Sequence, residues 1–126
     1  RIRTGVTKPD IVVVLDPSLI EIVDITSGLK KDGIMVVNTK DSLEDIENKV
    51  GGGYKLAIID ATRIAREFLG RPIVNTTMIG ALVRATDIIK LESLFQPLEK
   101  RFNRLAENNK KAMKKAYENT KIKDYN

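Results

Sequence analysis

Three short runs of the chain, Ile11–Leu15, Ile34–Val37 and Leu56–Ile59, are almost wholly β-branched or apolar. None alternates apolar with polar, as a strand with one wet face would. They read as parallel strands buried on both faces, with Ile73-Val74 a shorter fourth candidate. A helix-start residue follows each run. Asp16-Pro17 places a cap before a proline at the first helical position. Ser42 is followed three residues later by Asp45, a variant of the capping box, and Asp60 and Asn75 are the expected caps of the next two helices.

The helices between these strands are amphipathic or wholly apolar. The first is expected from about Ser18 to Ile25, stopping near Gly28. The second carries Leu43, Ile46 and Val50 on one stripe, and the third carries Ile64, Ala65, Phe68 and Leu69. Gly70 with Pro72 beyond it ends the third helix. The fourth, about Thr76 to Thr86, is apolar all round, so it is expected to be buried on more than one side. Within it Gly80 and Ala81 are expected where the helix presses closely on a neighbour, since glycine otherwise costs a helix about 1 kcal/mol.

Strand and helix in this alternation mean βαβ crossovers. The fold class is therefore α/β: a three-layer, mostly parallel sheet with a C-terminal helical extension. Residues 1–90 read as the α/β core. From Leu91 the pattern is helical only, so residues 91–126 read as C-terminal helices with a basic tail. Pro97 fits the first turn of one helix. A second is expected over Arg104–Asn119, with Lys121–Asn126 fraying.

Composition narrows the chemistry. The 126 residues are 42% hydrophobic, which suits one folded domain. There is no Cys and no His. No cysteine-ligated cluster, thiolate nucleophile or imidazole base can come from this sequence. The absence of Cys beside abundant Lys, Glu and Ile hints at a thermophile. No apolar run nears the ~20 residues that cross a bilayer. Arg1-Ile2-Arg3-Thr4-Gly5 has no apolar stretch behind it, so no signal peptide is read there and a cytoplasmic location is expected.

The net charge of +5 is unevenly placed. Residues 1–98 hold 13 basic and 13 acidic side chains, and residues 99–126 hold nine basic against four acidic. A solvated helix face is the plain reading of this tail, an acidic protein partner the next, and nucleic acid the last, because no groove-reading motif or aromatic interleaving accompanies it.

Gly51-Gly52-Gly53 with Tyr54-Lys55 invites a phosphate-loop reading. A phosphate cradle needs strand, glycines, then helix, and here the order is helix, glycines, strand. The run reads as a connecting loop. The stronger candidates stand together: Asp16, Asn38 with Thr39, Asp60 with Thr62, and Asn75 with Thr76. Each is expected at the carboxyl end of a parallel strand, where open α/β sheets bind ligands. Singly they need only cap helices; as a group they would line a cleft. Asp16 and Asp60 lack the His, third acid or spacing of a metal site. No catalytic and no metal residue is assigned.

Three stretches resemble one family. Pro9-Asp10-Ile11-Val12-Val13-Val14-Leu15-Asp16-Pro17-Ser18-Leu19 is similar to the strand and "D-x-x-L" turn of the gamma subunits of pyruvate and other 2-oxoacid:ferredoxin oxidoreductases. Gly33-Ile34-Met35-Val36-Val37-Asn38-Thr39 resembles their "G-x-x-x-x-N-[ST]" strand. Asp60-Ala61-Thr62, Ile64-Ala65 and Asn75-Thr76-Thr77-Met78-Ile79-Gly80-Ala81 resemble the block "D-A-T-x-I-A … N-T-x-M-x-G-A" in order and spacing. Asn109-Lys110-Lys111-Ala112 through Glu118 resembles the closing helix. The family's opening strand and G-x-G-G-Q-G turn have no counterpart, and Arg1-Ile2-Arg3 looks like mid-family sequence, so a C-terminal fragment with an open sheet edge is expected.

The resemblance implies one subunit of an enzyme that decarboxylates a 2-oxoacid, forms an acyl-CoA and reduces ferredoxin. Thiamine diphosphate, magnesium and iron–sulfur clusters would sit in companion alpha, beta and delta subunits, with none bound here. Ferredoxin would be met only indirectly, and neither nucleic acid nor membrane is an expected partner. Asp16, Asn38, Asp60, Thr62, Asn75 and Thr76 become candidates for lying close to the substrate or to coenzyme A. The alternatives are a stand-alone nucleotide-binding α/β domain and a nucleic-acid module led by the tail.

Overall fold

The structure is a computed structural model that describes residues 11–16, 33–50, 54–87 and 89–123. The expected first helix and the Gly51–Gly53 run lie outside the described residues. Strand β1 is Ile11–Val14, β2 is Ile34–Asn38 and β3 is Lys55–Ile59. β1 pairs in parallel with β2, Val14 opposite Val37, and β2 pairs in parallel with β3, Asn38 opposite Ile59. The ladder runs one residue further, with the Thr39 N–H donating to the Ile59 carbonyl at 2.9 Å.

Both faces of β2 and β3 are covered, which explains why those strands do not alternate. β1 departs from the expectation, with Val13 38% exposed on the face that carries Val36, because the helices of that face lie over β2 and β3. Met35, Val37, Leu56 and Ile58 face one side and pack with Ile46 of helix α1 (Leu43–Val50) and with Tyr54. Val36, Ala57 and Ile59 face the other side. There they meet helices α2 (Ala61–Leu69), α3 (Asn75–Thr86) and α5 (Ala106–Asn119) through Ile64, Met78, Ala81 and Ala112. The result is a three-layer α/β fold. Helix α4 (Phe95–Phe102), entered through a 3-10 turn at Leu91–Leu94, packs Leu98 with Val83 and Met113. Pro97 falls in its first turn, where no intrahelical N–H is required.

The ends of the helices follow local chemistry. Ser42 Oγ accepts the Asp45 N–H at 3.1 Å, starting α1. Gly70, at φ 74°, ends α2 with its N–H on the Arg66 carbonyl. That left-handed conformation is cheap only for glycine.

Three further expectations change. Ile73-Val74 forms no strand; Ile73 is 54% exposed, and Val74 directly precedes α3 without a side-chain cap, so Asn75 is the first helical residue rather than its cap. Two residues between a proline and a helix start are too few to span a sheet layer. The fourth strand is instead β4, Lys121–Lys123, antiparallel to β3 with Ala57 opposite Ile122. That segment was expected to fray, being short and basic. Ladder hydrogen bonds and the Lys123–Glu47 ion pair at 2.6 Å hold it.

Tyr54 is 8% exposed, and burial together with the nearby Glu47 carboxylate pushes its phenol up to about 12. In the unfolded chain the phenol ionises near 10. Between these values the unfolded state loses a proton that the folded state keeps, so stability falls as pH rises from about 10 to about 12. Melting scans should show that decline, and Tyr54→Phe should flatten it; a phenylalanine variant with the same slope would rule Tyr54 out as the source.

Candidate functional site

Asn38, 1% exposed, is the centre of the carboxyl edge of the sheet. Its Nδ2 donates to the Leu15 carbonyl at the end of β1 and to Thr62 Oγ1, both at 2.9 Å. Its Oδ1 accepts the backbone N–H groups of Ala61 at 2.9 Å and Thr62 at 3.4 Å. One amide thus joins β1, β2 and the start of α2. An amide suits the place because it offers donors and acceptors together. Asp16 lies exposed just past the carbonyl that Asn38 holds.

Asp60 Oδ1 accepts the Arg63 N–H at 3.2 Å, capping α2. Asp60→Ala should cost about 1 kcal/mol, and Asp60→Asn far less. Chemical denaturation of both variants checks this; equal losses would mean that charge rather than capping matters. Thr39 Oγ1 accepts the Asp41 N–H at 3.0 Å and shapes the turn after β2.

These groups border two open hollows. One, of about 430 Å³, is lined by Asn38, Thr39, Asp60 and Thr62 with Lys40, Arg63 and Arg66. The other, of about 470 Å³, shares Thr39, Asp60 and Arg63 and adds Lys115, Asn119 and Lys121.

Asn75 and Thr76 lie elsewhere, and the path of the helices shows why. Gly80 meets Met113, and the Arg84 guanidinium stacks on the Tyr117 ring at 5.3 Å, so α3 and α5 run parallel. Helix α5 ends at Asn119, beside Lys121, which pairs with Ile58 near the carboxyl end of β3. The end of α3, not its start, therefore points to this edge. Asn75 and Thr76 sit about 16 Å away along the helix, toward the opposite edge. Without a strand at Ile73-Val74 the chain never crosses back before α3 begins.

Lys40, Arg63, Lys115 and Lys121 stand at this edge without any local pattern in the sequence that marks them for it. Lys115 and Lys121 reach it only through the antiparallel strand, for which a three-residue basic segment gives no hydrophobic signal. Chemically the edge offers hydrogen bonds and positive charge. Among the described residues no group of three His, Cys, Asp or Glu could hold a metal, and no helix is long and apolar enough to cross a membrane.

A three-layer α/β fold with a polar, cationic carboxyl edge is the class to which this chain belongs. The family model for pyruvate ferredoxin/flavodoxin oxidoreductase matches residues 1–119, and the chain belongs to that family, among its gamma-type subunits. It is 49% identical over 124 residues to the pyruvate/ketoisovalerate oxidoreductases common subunit gamma of Pyrococcus abyssi, covering 97% of this chain and 67% of that one. To the pyruvate synthase subunit PorC of Thermotoga maritima it is 40% identical over 129 residues, covering 98% of this chain and 67% of the relative. The crystal structure of the pyruvate oxidoreductase subunit PORC from Thermotoga maritima superposes with a TM-score of 0.84 at 39% identity, over 97% of this chain and 69% of that one. Relatives from thermophiles agree with the hint in the composition.

Proposed function

We propose that the chain serves as the gamma subunit of a 2-oxoacid:ferredoxin oxidoreductase, with pyruvate the 2-oxoacid, in the cytoplasm. The observation that carries this reading is identity near one half to a named gamma subunit, sustained over 97% of the chain. The reaction forms an acyl-CoA and passes two electrons to ferredoxin. Decarboxylation needs an electron sink that side chains do not provide. With no Cys or His, this sequence does not fit the ligation of an iron–sulfur cluster. Thiamine diphosphate, magnesium and the clusters therefore belong to the companion alpha, beta and delta subunits.

The contribution of this chain is to present a rigid edge. Asn38 fixes the ends of β1 and α2, while Thr62 and Asp60 stand at the rim of a hollow with Asp16 nearby. This rim is where coenzyme A or a companion subunit approaches. Asn75 and Thr76, at the opposite edge, take no part in it. Helix α5 shares the core of β2, β3, α2 and α3, and β4 seals the outer edge of β3.

The test is reconstitution with pyruvate, coenzyme A, thiamine diphosphate and a viologen dye. The chain alone should reduce no dye, and omission of the gamma subunit should abolish or severely reduce turnover by the rest. Dye reduction by the chain alone, or full activity without the gamma subunit, would overturn the reading.

A further inference from the structure

All of the excess positive charge lies in residues 99–126, and the fold divides those cations into two groups. Lys110 is satisfied within the chain: it is bonded to Glu99 and Glu107 and lies over the Phe95 ring at 5.5 Å. Lys123 is held by Glu47 at 2.6 Å. Lys111, Lys114, Lys115 and Lys121 are exposed, and no described acidic side chain pairs with any of them. Lys111 and Lys115 are one turn apart on α5, a spacing at which like charges repel.

The unpaired set is continuous with cations at the carboxyl edge, from α2 and the turn after β2. Lys115 and Lys121 share their hollow with Lys40 and Arg63. The carboxylates there are already engaged, Asp41 with Lys49 at 3.6 Å and Asp60 with the Arg63 N–H.

We propose that the outer face of α5, together with the hollow beyond β3, docks an acidic protein surface. Its carboxylates meet Lys111, Lys115, Lys121 and Arg63. The extent of the cations favours a macromolecule over a small anion, since they continue from mid-α5 into β4. Asp41 and Asp60, set among Lys40, Lys115 and Lys121, give this hollow the mixed charges that suit a protein surface. Nucleic acid would want an aromatic stacking platform. The neighbouring ring, Tyr117, is half-buried and covered by Arg84. Charge of this kind mainly steers encounter and fixes orientation.

The experiment uses the full chain and a labelled poly-glutamate peptide as probe. Binding at about 0.05 M salt should weaken about tenfold or more by about 0.3 M. The Lys111→Gln, Lys115→Gln, Lys121→Gln triple variant should lose about tenfold at low salt. The same positions changed to Arg should restore binding, which separates loss of charge from loss of fold. A matched triple variant elsewhere, Arg71→Gln, Lys100→Gln, Arg104→Gln, should bind as the parent does. Equal loss in the matched variant would overturn the proposal. So would tighter binding of duplex DNA than of the peptide at this face, or displacement of the peptide by an equal concentration of pyrophosphate.

Discussion

Replacing Gly80 by alanine should lower the melting temperature by about 10 °C, a loss of about 2–4 kcal/mol. A Cβ built on Gly80 would lie 2.1 Å from the Met113 carbonyl oxygen and 2.9 Å from its carbon. Both are backbone atoms, so no rotamer change relieves the clash and the two helices must part. Parting them opens the contacts of Ala81, Ala85, Ala112 and Ala116, all fully buried. Helix propensity pulls the other way, favouring alanine by about 1 kcal/mol. The steric term wins because its obstacle is a fixed helix. Gly80→Leu should be worse still. Gly70 is the internal control: a Cβ there meets nothing within 4 Å, so Gly70→Ala should cost only the left-handed backbone penalty of about 1 kcal/mol. If Gly80→Ala melts with the parent, the close approach of α3 and α5 is not a real constraint.

Asn38→Ala should be comparably harmful, at about 2–4 kcal/mol, because it strands polar groups that water cannot readily reach. The Leu15 carbonyl and the Ala61 N–H lose their bonds to the amide together. Asn38→Asp separates the two halves of the role. An aspartate still accepts from Ala61 and Thr62 but has no donor for Leu15, and sets its negative charge against that carbonyl. Hydrogen exchange should then show β1 loosened while α2 keeps its protection. Equal loosening of both, or of neither, would refute the division of labour. Without the amide the rim loses its shape, so turnover of the reconstituted enzyme should fall with β1.

These outcomes bear on what the sequence could reveal. The parallel strands were legible because burial on both faces leaves runs such as Met35-Val36-Val37 wholly apolar. The caps at Ser42 and Asp60, and the stop at Gly70, were legible because they are local chemistry. The closeness at Gly80 could be expected from a glycine in an otherwise strong apolar helix. What the sequence concealed was non-local. Ile73-Val74 has strand-like residues but no partner, whereas Lys121–Lys123 has poor strand residues and a ready edge on β3. That exchange alone carried Asn75 and Thr76 away from the edge and brought Lys115 and Lys121 to it. Asn38 stood out by position, but its reach to Leu15 and to Ala61 depended on the arrangement of three elements.

Strand β4 also sets an order of events. Leu56 pairs with Lys123, and helices α2, α3, α4 and α5 lie between them in the chain. During synthesis β1, β2 and β3 can associate early, yet the outer side of β3 keeps open hydrogen-bonding groups until Lys123 has left the ribosome. Helices α3 and α5 share that dependence, since α3 emerges long before the partner that covers Gly80. The nascent chain therefore has a long interval with both a bare strand edge and an unaccompanied apolar helix, the stage at which premature capture by other chains is the greatest hazard.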